Sequence, residues 1–395
     1  MKRVLTVSTL YPNTHRPRFG AFVARSMEAL AKYTEWEVTV INPIGVPPVA
    51  LGEYAELKEA AVDSVDGGVR VLRPTFPLIP KVGARINPWA IRRSVLPIAE
   101  RLHAERPFDL LDAQFLFPDG PAVAGLAERL GLPFSVKARG TDVHYWGLGG
   151  HSKKAIRTTL DRAAGVLAVS QALARDMQGL ALTRRGIGVH YTGLDRDLFR
   201  PLDHDSMRRM IVEEFGLAMP DDEPLMLGVG ALLPVKGHDL SIRALGLLER
   251  GHLALLGTGD RRDALARLAQ DEGVADRVHF LGGVSHDQLP VLLSAAEVMV
   301  LPSQREGLAN AWVEALACGT PIVIPNVGGA REVVRSRSAG RIVERTPEAI
   351  AQGIRAVLLD RYTRREVAET VEQFDWRAHA EALARHYDEL IARRA

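Results

Sequence analysis

REGLANAWVEALACGTPIVIPNVGG (305–329) holds two carboxylates, Glu306 and Glu314, eight residues apart on either side of a small-residue turn into a helix. The apolar run 298–301 before it reads as a buried strand ended by Pro302. The pattern from about residue 310 to 317 reads as a helix stopped by Gly319 and Pro321. Glu306 then lies in a strand-to-helix loop. Gly307, Leu308 and Ala309 follow at the helix start, where unpaired amides and the positive dipole end favour oxygen-rich or anionic ligands. Glu314, a turn further on, is placed to accept hydrogen bonds from a vicinal diol. By spacing alone, a capped loop and a solvated glutamate are the more ordinary explanation of the pair.

The strand–loop–helix unit recurs outward in both directions. Upstream, VLTVS (4–8), EVTVI (37–41), VRVL (69–72), LLDA (110–113), FSVK (134–137), GVLAVS (165–170) and IGVHY (187–191) alternate with helical patterns. After the charged, aperiodic DRDLFRPLDHDS (195–206) the alternation restarts with LMLGVG (225–230), LALLG (253–257), RVHFLG (277–282), VMVL (298–301) and PIVI (321–324). Such alternation predicts an α/β chain with parallel sheets and places a domain boundary near Arg200. The last segment (374–394) is an amphipathic helix with Trp376, Ala380, Leu383, Tyr387 and Leu390 on one face.

A chain of 395 residues suits two domains of about 180 to 200 residues, each able to bury its own core and leaving room for a cleft. Fifty Lys plus Arg against forty-eight Asp plus Glu give a formal charge of +2, which argues against a nucleic-acid partner. Cys318 is the single cysteine, so neither an intrachain disulfide framework nor a cysteine zinc cluster is available, and a reducing cytoplasm fits. The opening residues are too polar for a signal peptide, and no apolar run reaches the roughly 18 residues of a spanning helix.

Around the carboxylate pair, PSQREGLANAWVEALACGTPIV (302–323) resembles the donor motif of the large GT-B family of retaining, nucleotide-sugar-dependent glycosyltransferases (family 4-like, group 1). The resemblance continues through VGALLPVKGHDLSIRAL (229–245), LALLGTGDRRDAL (253–265) and DRVHFLGGVSHDQLPVLLSAAEVMVLPS (276–303). It is looser through PRFGAFV (17–23), FPDGPA (117–122), KARGTDVH (137–144) and AVSQALARDM (168–177). It implies two facing Rossmann-like domains with a cleft between them. Residues 1–199 would bind the acceptor and 200–375 the nucleotide-sugar donor, with the helix 376–395 crossing back onto the first domain. The alternative for that helix is a simple end to the second domain.

Open parallel sheets bind ligands beyond the carboxyl ends of their strands. Gly228, Gly230 and the pair Lys236-Gly237 follow the first strand of the second domain, which puts an ammonium at a strand-to-helix turn, suited to a departing diphosphate. Relatives often carry Arg where Ala231 stands, so one phosphate contact is missing, and Arg16 and Arg18 are candidates to replace it. Gly20, between the first strand and a helix, leaves room for a phosphate to approach the backbone. From matching motif positions, Glu314 would hold the ribose diol. Glu306 and the amides of Gly307, Leu308 and Ala309 would hold the transferred sugar. Gly257 to Gly259 and Gly282 to Val284 would border the nucleoside. Leu308 replaces a frequent aromatic, so the sugar stays open.

The reaction implied is sugar transfer from a nucleoside diphosphate donor, a UDP- or GDP-sugar, to an acceptor hydroxyl with retention. No metal is expected, since no Asp-x-Asp pair precedes a small strand and Lys236 with helix termini can carry the charge. A glycosidase would leave the phosphate-cradling features idle. Asp119, Arg139 and Asp142 lie at the acceptor rim. Arg139 stands where relatives place His, and Asp142 is either a positioning residue or a helix cap. The segment 81–106 joins Lys81, Arg85, Arg92, Arg93, Arg101 and Arg106 to Trp89 and an apolar face. It reads either as a helix resting on an anionic membrane, meeting a glycan or lipid-linked acceptor, or as a packed helix with a solvated basic side. Two rival functions remain, a silent nucleotide-sugar-binding subunit, favoured by Ala231, and a nucleotide-sugar epimerase.

Overall fold

A computed structural model describes residues 1–50, 52–79, 83–217 and 219–393. The chain divides into two compact units, Met1–Gly193 with Trp376–Ala395, and Leu194–Asp375. The change falls at Leu194 and not at Arg200. The polar stretch after it is tied into the second unit, where the Leu194 amide bonds to the Phe374 carbonyl at 3.1 Å and Phe199 is fully buried.

The strands of the first unit are β1 (Lys2–Val7), β2 (Trp36–Ile41), β3 (Ile44–Val46), β4 (Ser64–Asp66), β5 (Val69–Leu72), β6 (Thr75–Pro77), β7 (Leu110–Ala113), β8 (Phe134–Ala138), β9 (Gly165–Ala168) and β10 (Gly188–Val189). Eight of them form one sheet in the order β10-β9-β8-β7-β1-β2-β5-β4, parallel except for β4, while β3 and β6 pair separately. Strand periodicity builds a core on each face. Val4, Val38, Val40 and Val71 point one way, Leu5, Val7, Ile41 and Leu111 the other. On the first face lie the helices Ala21–Tyr33 and Trp376–Ala392, whose Leu383, Tyr387 and Leu390 join the same core as Val23, Met27 and Leu30. The C-terminal helix is therefore a structural part of the first unit. Tyr387 meets Trp36 edge-on at 5.3 Å between ring centres. Against the second face pack the helices Gly83–Glu105 and Asp119–Leu130.

Residues 81–106 thus contain one long helix, with Pro88 and Pro97 inside it. Ile91, Val95, Ala99 and Leu102 are buried and Arg92 and Arg93 exposed, the arrangement of a packed helix with a solvated basic side. Lys81 lies outside the described residues. Trp89 is 53% exposed, with the Arg93 guanidinium 5.5 Å from its ring centre.

The second unit holds β11 (Leu225–Val229), β12 (His252–Leu256), β13 (Val278–Gly282), β14 (Val298–Val300), β15 (Ile322–Pro325) and β16 (Gly340–Val343). They form an all-parallel sheet in the order β13-β12-β11-β14-β15-β16. This is the doubly wound order, in which the chain leaves β11 toward one edge and returns at β14 to build the other. The crevice between the carboxyl ends of β11 and β14 is the position where that topology receives a ligand. No helix among the described residues is long and apolar enough to cross a membrane.

Candidate active site

The two loops that flank the β11/β14 switch point carry the residues singled out in the sequence. Lys236 ends the short turn Pro234–Lys236 after β11, and Glu306 sits in the loop after β14. Their charged ends meet, with Lys236 Nζ 2.6 Å from Glu306 Oε1 and side-chain exposures of only 24% and 12%. The lysine expected at the diphosphate and the glutamate expected at the sugar are thus brought together. The loops are also joined by main chain, the Gln304 amide donating to the Val235 carbonyl at 2.7 Å.

Gly237 is required next to Lys236. Its φ of +71° is left-handed, and a Cβ there would fall 2.3 Å from the Pro302 carbonyl oxygen. Arg345, just beyond β16, donates from Nε to that same oxygen at 2.9 Å. A lone arginine after a short strand gave the sequence reading no signal. It brings a second cation to the Lys236-Gly237 turn, on the side of the molecule where Ala231 supplies none.

The helix Asn310–Ala317 starts where its pattern placed it, and no side chain caps its amino end at Ala309. Its amino end thus carries no capping side chain, and the Glu306 loop leads directly into it. Gly307 accepts from the Gly329 amide at 2.7 Å, which holds the segment Glu306 to Ala309 against residues 327–329. Leu308 lies beside Gly329. Glu314 is half-buried, on the second turn of the helix.

The glycine loops are stitched to one another. Gly230 donates to the Leu256 carbonyl at 2.9 Å, Leu232 to that of Thr258 at 2.9 Å and Gly257 to that of Gly282 at 2.7 Å. A Cβ on Gly259 would fall 2.4 Å from the Leu232 carbonyl oxygen, so that glycine serves contact between loops; Gly282 faces open space. His238, first in the helix His238–Gly246, is buried under this loop, with the main chain of Gly230 and Ala231 beside its ring. Burial drives its pKa down to about 4, with the main chain of Gly230 and Ala231 pulling the other way.

In the first unit the switch point lies between β1 and β7. Thr9, after β1, donates its amide (2.9 Å) and hydroxyl (2.8 Å) to Asp119, which follows the β7 loop. Asp119 is fully buried, and desolvation raises its pKa to about 7. Asp142 accepts from the amides of Leu116, Gly140 and Arg139 at 2.8 to 3.2 Å. It behaves as the cap and organiser of its loop. The Arg139 guanidinium stacks 4.9 Å from the Phe22 ring centre and donates to the side-chain and main-chain oxygens of Gln114. The space left by the missing Cβ of Gly20 is filled by the main chain of Leu10, 2.4 Å away, so this glycine permits packing of its own loop and does not open the backbone to a phosphate. Arg16 is engaged with Glu53.

Known proteins share this architecture. Residues 212–374 match the model of glycosyl transferases group 1, and residues 20–198 that of glycosyltransferase family 4. The chain is 26% identical to a putative teichuronic acid biosynthesis glycosyltransferase, TuaC, of Bacillus subtilis, over 98% of each chain. Over 49% of this chain and 53% of the relative it is 35% identical to a GDP-mannose-dependent α-(1-6)-phosphatidylinositol monomannoside mannosyltransferase of Mycolicibacterium smegmatis. The fold is that of sucrose-phosphate synthase from Thermosynechococcus elongatus (TM-score 0.81, 22% identity, 99% and 100% of the chains covered) and of Anabaena HepE, solved with UDP (TM-score 0.74, 19% identity, 98% and 100% covered). Two Rossmann-like units of this kind define the GT-B class of glycosyltransferases. Within that class the chain belongs to the group 1, family 4-like glycosyltransferases.

Proposed function

We propose that this glycosyltransferase moves a sugar from a nucleoside diphosphate donor to an acceptor hydroxyl with retention at the anomeric carbon and without a metal ion. The observation that carries the reading is the 2.6 Å contact of Lys236 with Glu306 at the switch point of the second unit. An ammonium there stabilises charge on the departing diphosphate. Glu306, with the amides that follow it, accepts and donates hydrogen bonds to hydroxyls of the transferred sugar, and Glu314 takes the ribose diol. The loops of Gly230, Gly259 and Gly282 border the nucleoside. Arg139 and Asp142 shape the acceptor rim of the first unit, Asp142 by holding the loop and Arg139 by contact. The relatives' names support a UDP- or GDP-sugar donor and a glycan or lipid-linked acceptor, and a reducing cytoplasm, which the single cysteine suits, is the compartment proposed.

Ala231 is the observation that favours a silent, donor-binding subunit. Arg345 beside Gly237 weakens it, since a cation is present at the same turn. The test is thermal shift with UDP-, GDP- and ADP-sugars, followed by release of nucleoside diphosphate with and without a glycolipid extract as acceptor, in EDTA. Transfer predicts stabilisation by one donor class and acceptor-dependent release unaffected by the chelator. Binding without turnover sinks it, and interconversion of the donor sugar would mean an epimerase. A peripheral membrane contact through Trp89 and the arginines of the helix Gly83–Glu105 predicts cosedimentation with anionic vesicles that Trp89→Ser reduces. No difference between the two proteins removes that contact.

A further inference from the structure

The first unit carries a half-open cavity of ≈ 280 Å³ beyond the carboxyl ends of β1 and β2. Its walls come from the loops after these strands, from the helices Glu53–Glu59 and Gly83–Glu105, and from the β3/β6 pair. Its volume is at the small end of the range for ligand pockets. The polar groups in its lining determine which ligands fit.

Asn42 is 2% exposed. Its Nδ2 donates to the Ser8 carbonyl at 2.8 Å. Only the nitrogen end of an amide can satisfy a carbonyl, so this bond fixes the side chain's orientation. Its Oδ1 then has no partner, and neither does Oδ1 of Asn87, also in the lining. Thr9 has committed its hydroxyl proton to Asp119 at 2.8 Å. Among the described residues Arg16 is the single charged side chain of the lining, and it is paired with Glu53. The groups left wanting are thus two amide oxygens, which only accept, and the buried Tyr11 hydroxyl, which can donate or accept, while the one cation among the described lining residues is already paired. Phosphate, sulfate or carboxylate would bring only further acceptors. Sugar hydroxyls bring donors, and the Phe19, Tyr54 and Phe76 rings offer apolar surface to the C–H face of a pyranose.

We infer that this cavity is a subsite for an uncharged, unphosphorylated glycosyl residue, the terminal pyranose of the acceptor, with Asn42 Oδ1 and Asn87 Oδ1 each taking a hydroxyl proton. The inference rests on the transfer reading for the word acceptor, but not for the binding itself. It commits the acceptor to a neutral sugar even where the rest of the acceptor is anionic.

Saturation-transfer NMR on the full chain tests it, with methyl glucoside, mannoside and galactoside against glucose 6-phosphate and glucuronate. At least one neutral pyranoside gives a signal, and the charged sugars bind tenfold or more weakly. Asn42→Leu also strips Ser8 of its partner and risks misfolding, so Asn87 is the preferred site. Asn87→Ala weakens the neutral pyranoside tenfold, while Asn87→Asp, which keeps an acceptor oxygen, restores it. In transfer assays Asn87→Ala raises the acceptor KM, with kcat and donor affinity unchanged. Tighter binding of the charged sugars, or a signal indifferent to Asn87→Ala, overturns the assignment. Pyranoside binding that follows this pattern in a protein releasing no nucleoside diphosphate would sink the transfer reading and leave the subsite standing.

Discussion

Lys236 and Glu306 meet across seventy residues of chain, each mostly withdrawn from water. Removing one member leaves the other's charge partly buried and unpaired, which costs stability as well as function. In the proposed reaction Lys236→Ala and Glu306→Ala each lower kcat/KM by about 10²- to 10³-fold, the usual effect of losing one preorganised stabilising group. The double variant falls much less than the product of the two, because the pair acts as a unit. Strictly multiplicative losses would show that the two side chains serve separate places. His238 gives a pH prediction. In the unfolded chain it titrates near 6.5, whereas in the fold it holds its proton only near pH 4. The unfolded state therefore binds the extra proton first, and stability present above pH 6.5 is lost as the pH falls toward 4. Over that window His238→Gln should lose less stability than the wild type, by up to roughly 3 kcal/mol from the pKa difference. Parallel loss, followed by thermal unfolding at pH 7.5 and 4.5, would mean that the ring is protonated in the fold.

Among the elements, the long apolar runs were readable from sequence. Val69–Leu72 and Leu110–Ala113 begin and end where the patterning puts them, and the helix Asn310–Ala317 likewise. The strands the sequence reading passed over are Ile44–Val46, Ser64–Asp66, Thr75–Pro77 and Gly340–Val343. The first three are three residues long and hold glycine, charge or proline, so pairing with a neighbour makes them strands, not local preference. The fourth begins at a glycine and carries an arginine. The site divides in the same way. Glu306, Lys236 and the helix start were legible because they sit in one local motif each. Arg345 and the Asn42/Asn87 cavity were not, since single arginines and amides gain meaning only from neighbours brought by the fold. Gly20 was legible as a glycine but for the wrong purpose. At the level of the turn, Gly237→Ala must either move Pro302 or abandon its left-handed backbone, at a cost of about 1 to 3 kcal/mol. Because Lys236 is its neighbour, donor affinity should fall with stability. A Gly237→Ala protein that binds donor normally would show that the turn does not place the ammonium.

At the scale of the whole molecule, the first unit is discontinuous in sequence, closed by the helix Trp376–Ala392, while Leu194–Asp375 forms one uninterrupted piece. Tyr387 and Leu390 are buried in the core built by Val23, Met27 and Trp36. Ending the chain before Trp376 uncovers that core, and the truncated protein should aggregate or bind a hydrophobic dye. Residues 194–375 expressed alone should give a cooperative thermal transition. A well-folded, monomeric 1–193 fragment would contradict this account. The order of birth on the ribosome is therefore the reverse of the order of completion. The amino-terminal half emerges first yet must wait, with its apolar flank bare, until the helix Trp376–Ala392 arrives. A chaperone that shields that flank, or a slower translation of the closing helix, would govern the yield of active enzyme more than any change inside the catalytic crevice.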